Sequence, residues 1–221
     1  GVPEEIWPIA AVKCLEAMPF PLPARYEDIL RRASSCEGVL IGPGLVRAPR
    51  TERLVRSLLE DLKVPVVLDA DGINALSGHI DLLDARRGRP TVLTPHEVEF
   101  ARIGGDLSRG DRERAAQDFA MAHGCVLVLK GHRTVTASPE GDVLVNTTGG
   151  SGLAKGGSGD VLTGVIASLM AQRADALRAA AVGVWLHGRA GDLAEQELTA
   201  YSVTPEDVVR KLPDAIREIL E

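Results

Sequence analysis

The chain has 221 residues, which is enough for one substantial domain, and it carries a net charge of −6. An acidic balance without a basic stripe argues against a nucleic-acid partner, and no apolar stretch approaches the ~20 residues that a membrane span requires. We expect no signal peptide, because the first residues lack the pattern of one. Three cysteines at no metal-like spacing favour a reducing, cytoplasmic setting, and the apolar run around Cys125 predicts a core position for that residue.

Short aliphatic runs predict four buried strands, and each run ends in a turn rich in glycine, aspartate, histidine or lysine. The runs are 38–41, 65–68, 91–94 and 125–129, and helical segments are predicted between them at about 49–62, 72–84, 97–104 and 109–123. This alternation predicts an α/β domain with a mainly parallel central sheet flanked by helices on both faces. Ligands bind at the carboxyl ends of the strands in such sheets, so the polar turns should gather at one edge.

The remainder of the chain predicts a hairpin followed by helices. Residues 134–138 and 142–145 flank a turn and predict two antiparallel strands. The apolar stripe over 160–172 and the alanine-rich segment 176–198 predict two helices. Thr204 should cap a last helix that has proline at its first position. We expect a single domain over residues 1–221.

The stretch from Gly149 to Asp160 carries the strongest functional signal. Gly156, Gly157 and Gly159 directly precede an amphipathic helix, where bare backbone amides can converge on a phosphate at the positive end of the helix. Asp160 then stands in the first turn, either as a general base beside a bound phosphate or as a carboxylate that only stabilises the helix dipole. The stretch is neither a Walker A loop nor a Rossmann fingerprint.

This stretch resembles a known family. Residues 155–164, Lys-Gly-Gly-Ser-Gly-Asp-Val-Leu-Thr-Gly, resemble the signature of the ADP/ATP-dependent NAD(P)H-hydrate dehydratases of the ribokinase-like superfamily. Four further motifs resemble that family in the same order, at 41–45, 69–74, 93–97 and 186–192. The resemblance covers nearly the whole chain and implies a ribokinase-like fold.

The resemblance also implies an activity, a lyase reaction that repairs hydrated NADH or NADPH (NAD(P)HX). In it, Asp160 deprotonates the ring hydroxyl, the hydroxyl oxygen attacks the terminal phosphoryl group of ADP or ATP, and loss of phosphate restores the reduced nicotinamide. Phosphoryl transfer requires neutralisation of charge, so we expect Mg²⁺. The family further implies a homo-oligomer, with a tetramer as the expected state.

The predicted site residues follow from the same resemblance, and none of them is assigned as a metal ligand. Asp160 is the catalytic residue, and it binds NAD(P)HX together with Gly44 and His96. The nucleotide is expected at Lys130, Gly131, His132, Arg133, Thr134, Gly156, Gly157 and Gly159.

Several positions leave alternatives open. Asp69 and Asp71 follow a strand and could serve Mg²⁺ or phosphate through water, or could cap a turn together with Asn74. His96 could likewise be a capping residue of its turn, and His187 and Asp192 are expected to be structural. Lys155 stands where the family stretch usually has threonine, and we expect it to lean into solvent rather than onto phosphate.

Two other functions remain open at this point. A small-molecule kinase of the same fold, acting on a vitamin precursor or a sugar, would use the same glycine stretch and the same base. A non-catalytic nucleotide-binding module is suggested by the start of the chain, because the family normally has a strand and a helix before the residue that matches Gly1. The intact 156–160 run argues against the second reading.

Overall fold

The computed structural model describes all 221 residues. The chain divides into two compact units, Gly1–Cys36 and Glu37–Glu221. The expectation of one domain over the whole chain stays a prediction. No helix in either unit combines the length and the apolar character that crossing a bilayer demands.

The first unit contains a short 3₁₀ turn, Glu4–Ile6, and two α-helices, α1 (Trp7–Lys13) and α2 (Tyr26–Ser34). Main-chain hydrogen bonds join its first residues to the segment between α1 and α2: the Val2 N–H donates to the Phe20 carbonyl (3.0 Å), and the Leu22 N–H donates to the Val2 carbonyl (2.8 Å). The Arg32 guanidinium stacks 3.5 Å from the centre of the Phe20 ring. None of its residues is buried, so this unit has no hydrophobic core of its own.

The second unit is built on one six-stranded sheet. Its strands are β1 (Val39–Ile41), β2 (Val66–Leu68), β3 (Thr91–Leu93), β4 (Val126–Leu129), β5 (Val135–Ala137) and β6 (Val143–Val145). They lie in the sheet in the order in which they occur in the chain. The pairs from β1 to β4 are parallel, and the hairpin of β5 and β6 continues the sheet in antiparallel fashion. The predicted strands and the predicted hairpin are confirmed.

Helices cover both faces of this sheet, as the continuous aliphatic runs predicted. Alternate residues point to opposite faces of a strand. On one face, Val67, Val92 and Val126 pack against the two helices α8 (Ser158–Ala171) and α9 (Ala176–Leu198). The next residues along the same strands are Leu68, Leu93 and Leu127. Their side chains point to the opposite face and are equally buried. Because both faces of these strands are buried, their sequences do not alternate between apolar and polar residues.

Most helices of this unit match the predicted segments, with one exception. They are α3 (Pro49–Asp61), α4 (Ala70–Asn74), α5 (Asp81–Ala85), α6 (Glu97–Arg102) and α7 (Arg112–His123). The single helix expected over 72–84 is wrong. The segment forms two short helices, α4 and α5, and Gly78 lies between them with φ of 75°. A residue in the left-handed region interrupts the helical hydrogen bonding.

The final helix, α10 (Pro205–Leu220), begins as predicted. Thr204 accepts a hydrogen bond from the Asp207 main chain, and the Asp207 carboxylate accepts one from the Thr204 N–H at 2.9 Å. This reciprocal capping box, with Pro205 at the first position, fixes the start of the helix. The helix packs on α9 through a small apolar cluster that includes Ala190, Ala194 and Val208.

A buried arginine binds the main chain at the end of α3. Arg86 is 1% exposed, and its guanidinium donates to the main-chain carbonyls of Leu59 (2.9 Å), Leu62 (2.8 Å) and Val64 (3.3 Å). Burial lowers the pKa of Arg86 to about 10. The fork of this side chain satisfies the carbonyls at and beyond the end of α3, which have no helical partners.

Candidate active site

The parallel strands bring their carboxyl ends to one edge of the sheet. Gly42 follows β1, Asp69 follows β2, Thr94 follows β3 and Lys130 follows β4. The edge therefore collects turns that lie far apart in the sequence.

A buried ion pair lies at the centre of this edge. The Lys130 ammonium is 2.6 Å from Oδ1 of Asp69 and 3.9 Å from Oε2 of Glu99. The Thr94 hydroxyl stands 2.9 Å from the same Asp69 oxygen. Asp69 is 2% exposed, so its charge is compensated by protein groups rather than by water. The alternative in which Asp69 caps a turn is not realised, because its side chain makes no capping hydrogen bond, whereas the Asp71 carboxylate accepts a hydrogen bond from the Asn74 side chain at 3.0 Å.

The start of α8 lies directly against this ion pair. A Cβ atom placed on Gly159 would lie 3.5 Å from Nζ of Lys130 and 3.8 Å from Oδ2 of Asp69. The structure thus brings together Lys130 and Gly159, two of the residues predicted to contact the nucleotide. An ammonium and the amino end of a helix both favour a bound anion, so together they form a candidate phosphate site.

Asp160 stands in the first turn of α8, next to this position. Its side chain is exposed, and it makes no hydrogen bond or ion pair with another residue. Only its main-chain carbonyl is engaged, by the Thr163 hydroxyl at 3.1 Å. A carboxylate without an internal partner at this point can accept a proton from a substrate.

His96 is held as the N-cap of α6. Its Nδ1 accepts hydrogen bonds from the main-chain N–H groups of Val98 (3.1 Å) and Glu99 (3.2 Å). The His96 N–H donates in return to the Glu99 carboxylate at 2.9 Å, which completes a capping box. The side chain is 50% exposed. The capping alternative is therefore realised, and Nε2 lies 3.5 Å from Oε1 of the Glu99 carboxylate.

The turn predicted to bind the nucleotide, residues 130–134, is organised by Arg112 at the start of α7. Its Nη1 donates to the carbonyl of His132 (2.9 Å), and its Nη2 donates to the carbonyls of Lys130 (3.2 Å) and Leu129 (3.3 Å). A cavity of about 370 Å³ opens beside the turn, lined in part by Arg112, His132, Arg133 and Val135. Nothing in the sequence distinguishes Arg112 from the other arginines, so its contacts with this turn could not be predicted.

The glycine-rich stretch is held in shape by α9. The main-chain N–H of Gly149 donates to the Asp192 carboxylate (3.0 Å), and that of Gly152 donates to Glu195 (2.6 Å). Gly188 on the same helix allows the approach, because a Cβ there would lie 2.2 Å from Oγ1 of Thr148. The structural role expected for Asp192 is confirmed, and the main-chain N–H groups of Gly156 and Gly157, nearer to α8, donate to no main-chain carbonyl.

His187, one turn further back on α9, anchors the start of α8. Its Nε2 lies 3.1 Å from the hydroxyl of Ser158, the first residue of the helix. Burial lowers the pKa of His187 to about 4. The hydrogen bond with Ser158 raises this pKa, and the positive charge of Lys130 lowers it further. The imidazole is therefore neutral near pH 7, and its structural role is confirmed.

Lys155 does not lean into solvent as expected. Its ammonium donates to the main-chain carbonyls of Ala200 (3.0 Å) and Tyr201 (3.1 Å) and to that of Val203. These carbonyls belong to the loop that joins α9 to α10. The expectation was wrong because this loop, 45 residues further along the chain, approaches the glycine-rich stretch only in the folded protein.

The two glycines after β1 have different environments. A Cβ on Gly42 would lie 1.7 Å from the Asp69 carbonyl, so close contact with β2 requires glycine there. Gly44 is exposed and has no atom within 4 Å of such a Cβ, which leaves it open to a ligand. No hydrogen bond or ion pair joins Gly44 or His96 to Asp160, and the substrate roles of all three stay predictions.

Comparison with known proteins identifies relatives of this chain. A family model described as NAD(P)H-hydrate dehydratase matches residues 2–214. A bifunctional NAD(P)H-hydrate repair enzyme of Moorella thermoacetica is 40% identical over 233 aligned positions, which cover 100% of this chain and 44% of that protein. The chain thus spans less than half the length of this curated relative.

Solved structures show the same fold. An ADP/ATP-dependent NAD(P)H-hydrate dehydratase of Bacillus subtilis, co-crystallised with ATP and Mg²⁺, matches with a TM-score of 0.77 and 30% identity over 97% of this chain and 76% of that one. A ribokinase-like superfamily protein of Enterococcus faecalis matches with a TM-score of 0.80 and 26% identity over 98% and 75% of the two chains. The fold is therefore ribokinase-like, as the motifs predicted.

Proposed function

Because the chain belongs to the NAD(P)H-hydrate dehydratase family, we propose that it removes water from hydrated NADH or NADPH at the expense of ADP or ATP. The products are the reduced nicotinamide cofactor, inorganic phosphate, and AMP or ADP. The observation that carries the proposal is the exposed, unpaired carboxylate of Asp160 at the start of α8, beside the Lys130 ammonium and Gly159.

The chemistry follows from the position of Asp160. Hydroxide is a poor leaving group, so the ring hydroxyl is first converted into a phosphate ester. Asp160 takes the hydroxyl proton while the hydroxyl oxygen forms a bond to the terminal phosphorus, and the bond from that phosphorus to the bridging oxygen of the nucleotide breaks. The ring nitrogen lone pair then expels phosphate as the carbon–oxygen bond breaks, and loss of a proton from the adjacent ring carbon to water restores the double bond of the reduced nicotinamide.

The remaining groups bind the anion. Lys130 and the free amides of Gly156, Gly157 and Gly159 would hold the terminal phosphate, and the turn from Gly131 to Thr134 would contact the rest of the nucleotide. These groups compensate the negative charge that the phosphoryl group bears during transfer. Gly44 and His96 would contact NAD(P)HX from the ends of β1 and β3.

Magnesium fits this site as an ion carried by the nucleotide. No three carboxylate, histidine or cysteine side chains converge to form a metal cage. Mg²⁺ typically keeps several waters and binds one or two carboxylates together with substrate phosphates. Asp69 and Glu99, at the strand ends nearest Lys130, would hold its water ligands, and the ion would neutralise phosphate charge.

The test is turnover by the purified protein. It is incubated with hydrated NADH, Mg²⁺ and either ADP or ATP, and the return of the reduced-nicotinamide absorbance is followed together with the release of phosphate. We expect both signals to rise in equal amounts and to require the nucleotide. A stable phosphorylated product without phosphate release would instead identify a kinase, and nucleotide binding without turnover would contradict an enzymatic role.

The variant Asp160→Asn tests the base. Loss of a general base lowers the rate by about 10²–10⁴-fold, while the melting temperature and nucleotide binding should stay close to those of the wild type. The control is Asp175→Asn at the N-cap of α9, where asparagine caps as well as aspartate, so turnover and stability should both stay close to those of the wild type. If Asp160 only supports the helix dipole, its variant loses about 0.3–1 kcal/mol of stability and turns over normally.

Two further properties complete the proposal. We infer a homo-oligomer, with a tetramer as the expected state, which light scattering on the purified protein would measure. We also infer a cytoplasmic setting, because Cys14 and Cys36 are exposed free thiols and Cys125 is a buried one. Rapid formation of a stable intermolecular disulfide under the redox conditions of the cytoplasm would contradict it.

A further inference from the structure

All four terminal N–H groups of the Arg112 guanidinium face main-chain carbonyls around one turn. Nη1 donates to the carbonyl of His132 (2.9 Å) and makes a longer contact with that of Arg133 (3.5 Å). Nη2 donates to the carbonyls of Lys130 (3.2 Å) and Leu129 (3.3 Å). The donors of an arginine lie in one rigid plane, so this side chain fixes the orientation of four peptide groups at the end of β4 and in the turn after it.

This orientation leaves two N–H groups of the turn without a main-chain partner. In a trans peptide the C=O and N–H groups point in opposite directions, so the N–H groups next to the bound carbonyls point away from Arg112. That of Lys130 donates to the Pro95 carbonyl at 2.8 Å. Those of Gly131 and Arg133 donate to no main-chain carbonyl, and both residues are exposed. The turn therefore presents two oriented donors that a ligand can use.

The turn depends on the guanidinium for its shape. Arg133 has φ of 55°, in the left-handed region that is uncommon for a residue with a side chain. No main-chain N–H donates to the carbonyls of His132 or Arg133. Without Arg112 these carbonyls would turn towards water to find a donor, which rotates the adjoining N–H groups out of their present direction.

Glu97 holds the guanidinium from its other side. Oε1 of Glu97 lies 3.0 Å from Nε of Arg112, the nitrogen of the guanidinium that contacts no carbonyl of the turn. Glu97 is the first residue of α6 and follows His96 directly. The ion pair thus joins the turn expected to bind NAD(P)HX to the turn expected to bind the nucleotide.

We propose that Arg112 is a positioning residue for the nucleotide. It holds the 130–134 turn so that the N–H groups of Gly131 and Arg133 face acceptor atoms of ADP or ATP. The inference rests on the proposed function, in which the nucleotide is the second substrate, and it adds to that function a residue outside the glycine-rich stretch.

Arg112 should control the affinity for the nucleotide rather than the chemical step. The Lys130 ammonium is held by Asp69, and Asp160 lies on α8, so neither charged group depends on the guanidinium. Nucleotide bound at saturation therefore meets the same base and the same cation whether or not Arg112 is present. A residue that only stabilises the fold would instead lower the amount of active protein and leave the KM for ADP unchanged.

The experiment compares wild type with Arg112→Ala and Glu97→Gln. Arg114→Ala is the matched control, because Arg114 lies on the same helix, is exposed and pairs with Asp118 (3.0 Å) rather than with the turn. Binding of ADP with Mg²⁺ is measured by calorimetry, and kcat and the KM for ADP are measured at saturating hydrated NADH. Each measurement is repeated with methylguanidinium chloride, at a concentration too low to denature the protein, and with NaCl at the same concentration.

We expect Arg112→Ala to weaken the binding of ADP by about 10–100-fold, because two donors to a charged ligand lose their orientation. The KM for ADP should rise by a similar factor, and kcat should stay within about threefold of the wild-type value. Methylguanidinium, which can occupy the place of the missing side chain, should restore most of the affinity, whereas NaCl should not. Glu97→Gln should weaken binding by about two- to fivefold. Arg114→Ala should match the wild type in both salts.

An Arg112→Ala variant that binds ADP as tightly as the wild type would overturn the inference and leave the proposed function standing. A lower kcat with an unchanged KM would do the same, as would an affinity that methylguanidinium and NaCl restore equally. If the variant folds and binds ADP only in methylguanidinium, the inference holds, and a variant that stays unfolded in both salts contradicts it. A wild type that binds neither ADP nor ATP would contradict the proposed function and this inference together.

Discussion

The Lys130 ammonium lies 2.6 Å from Oδ1 of Asp69, across a sequence separation of 61 residues. The two residues follow β4 and β2, so the ion pair reaches over the end of β3, where the Thr94 hydroxyl also contacts Asp69. The lysine predicted to bind phosphate is therefore held in place before any ligand arrives. Preorganised charge of this kind is what stabilises a phosphoryl group during transfer.

Replacing only Lys130 should lower the free energy of unfolding more than replacing both residues of the pair. Lys130→Met leaves the buried Asp69 carboxylate without its cation, and we expect a loss of about 3–5 kcal/mol in the free energy of unfolding. In the double variant with Asp69→Asn, the loss should be clearly smaller than the sum of the two single losses. Urea unfolding measures all three, with Lys63→Met as the exposed control. Strictly additive losses would show that the pair makes no energetic contribution.

The neutral, buried imidazole of His187 predicts a dependence of stability on pH. Its pKa in the folded protein is about 4, against the ordinary value of 6.5 in the unfolded chain. The unfolded chain therefore binds the extra proton first, and stability that is complete above about pH 6.5 is lost as the pH falls towards 4. The loss from this one group amounts to at most about 3 kcal/mol.

The variant His187→Gln removes that titration, so its unfolding free energy should change less between pH 7 and pH 4.5 than that of the wild type. His79→Gln, which changes an exposed loop histidine, serves as the control and should follow the wild-type curve. Parallel curves for wild type and His187→Gln would contradict the assignment.

Two helical glycines should respond to alanine in opposite directions. At Gly188 the new Cβ would lie 2.2 Å from Oγ1 of Thr148 and 2.8 Å from its main-chain carbonyl, so the glycine-rich stretch must shift. We expect Gly188→Ala to cost about 1–3 kcal/mol. At Gly164, an exposed position inside α8, nothing lies within 4 Å, and alanine should stabilise the protein by about 0.5–1 kcal/mol. Thermal melting of both variants tests the sign of each effect, and a neutral Gly188→Ala would show that the stretch is not held by this contact.

The buried guanidinium of Arg86 makes a separate prediction about the fold. Arg86→Met keeps most of the volume but leaves the carbonyls of Leu59 and Val64 without a donor, and the Leu62 carbonyl keeps only the longer contact from Arg89 (3.4 Å). We expect a loss on the order of 3 kcal/mol in unfolding free energy. Arg53→Met, on the exposed face of α3, should be nearly neutral. Equal stability of the two variants in urea would mean that water replaces the guanidinium at no cost.

The sheet could be predicted from the sequence because its signals are local. Aliphatic runs that end in turns rich in glycine, aspartate, histidine or lysine indicate the four parallel strands, and a short polar turn indicates the hairpin. The one wrong element, the helix over 72–84, failed for a local reason as well, since Gly78 interrupts a segment whose helical pattern is otherwise continuous. Motif resemblance then supplied the position of Asp160.

The contacts that shape the site could not be predicted because their partners are remote in sequence. Arg112 reaches the carbonyls of the 130–134 turn from another element, and Lys155 reaches a loop 45 residues further along the chain. Every residue has a main-chain carbonyl, so the residue types do not show which carbonyls a side chain binds. In the sequence, such a side chain cannot be distinguished from a surface lysine or arginine. Only the folded arrangement distinguishes Lys155 from Lys63.

The grip of α9 on the glycine-rich stretch has a consequence for biosynthesis. Each strand pairs with the strand made just before it, so the sheet can assemble as the chain leaves the ribosome. Gly149 and Gly152, however, wait for carboxylates 43 residues further on. A nascent chain that has not yet reached Asp192 thus carries a complete sheet beside an unshaped glycine-rich stretch, and the proposed phosphate site can form only among the last events of synthesis.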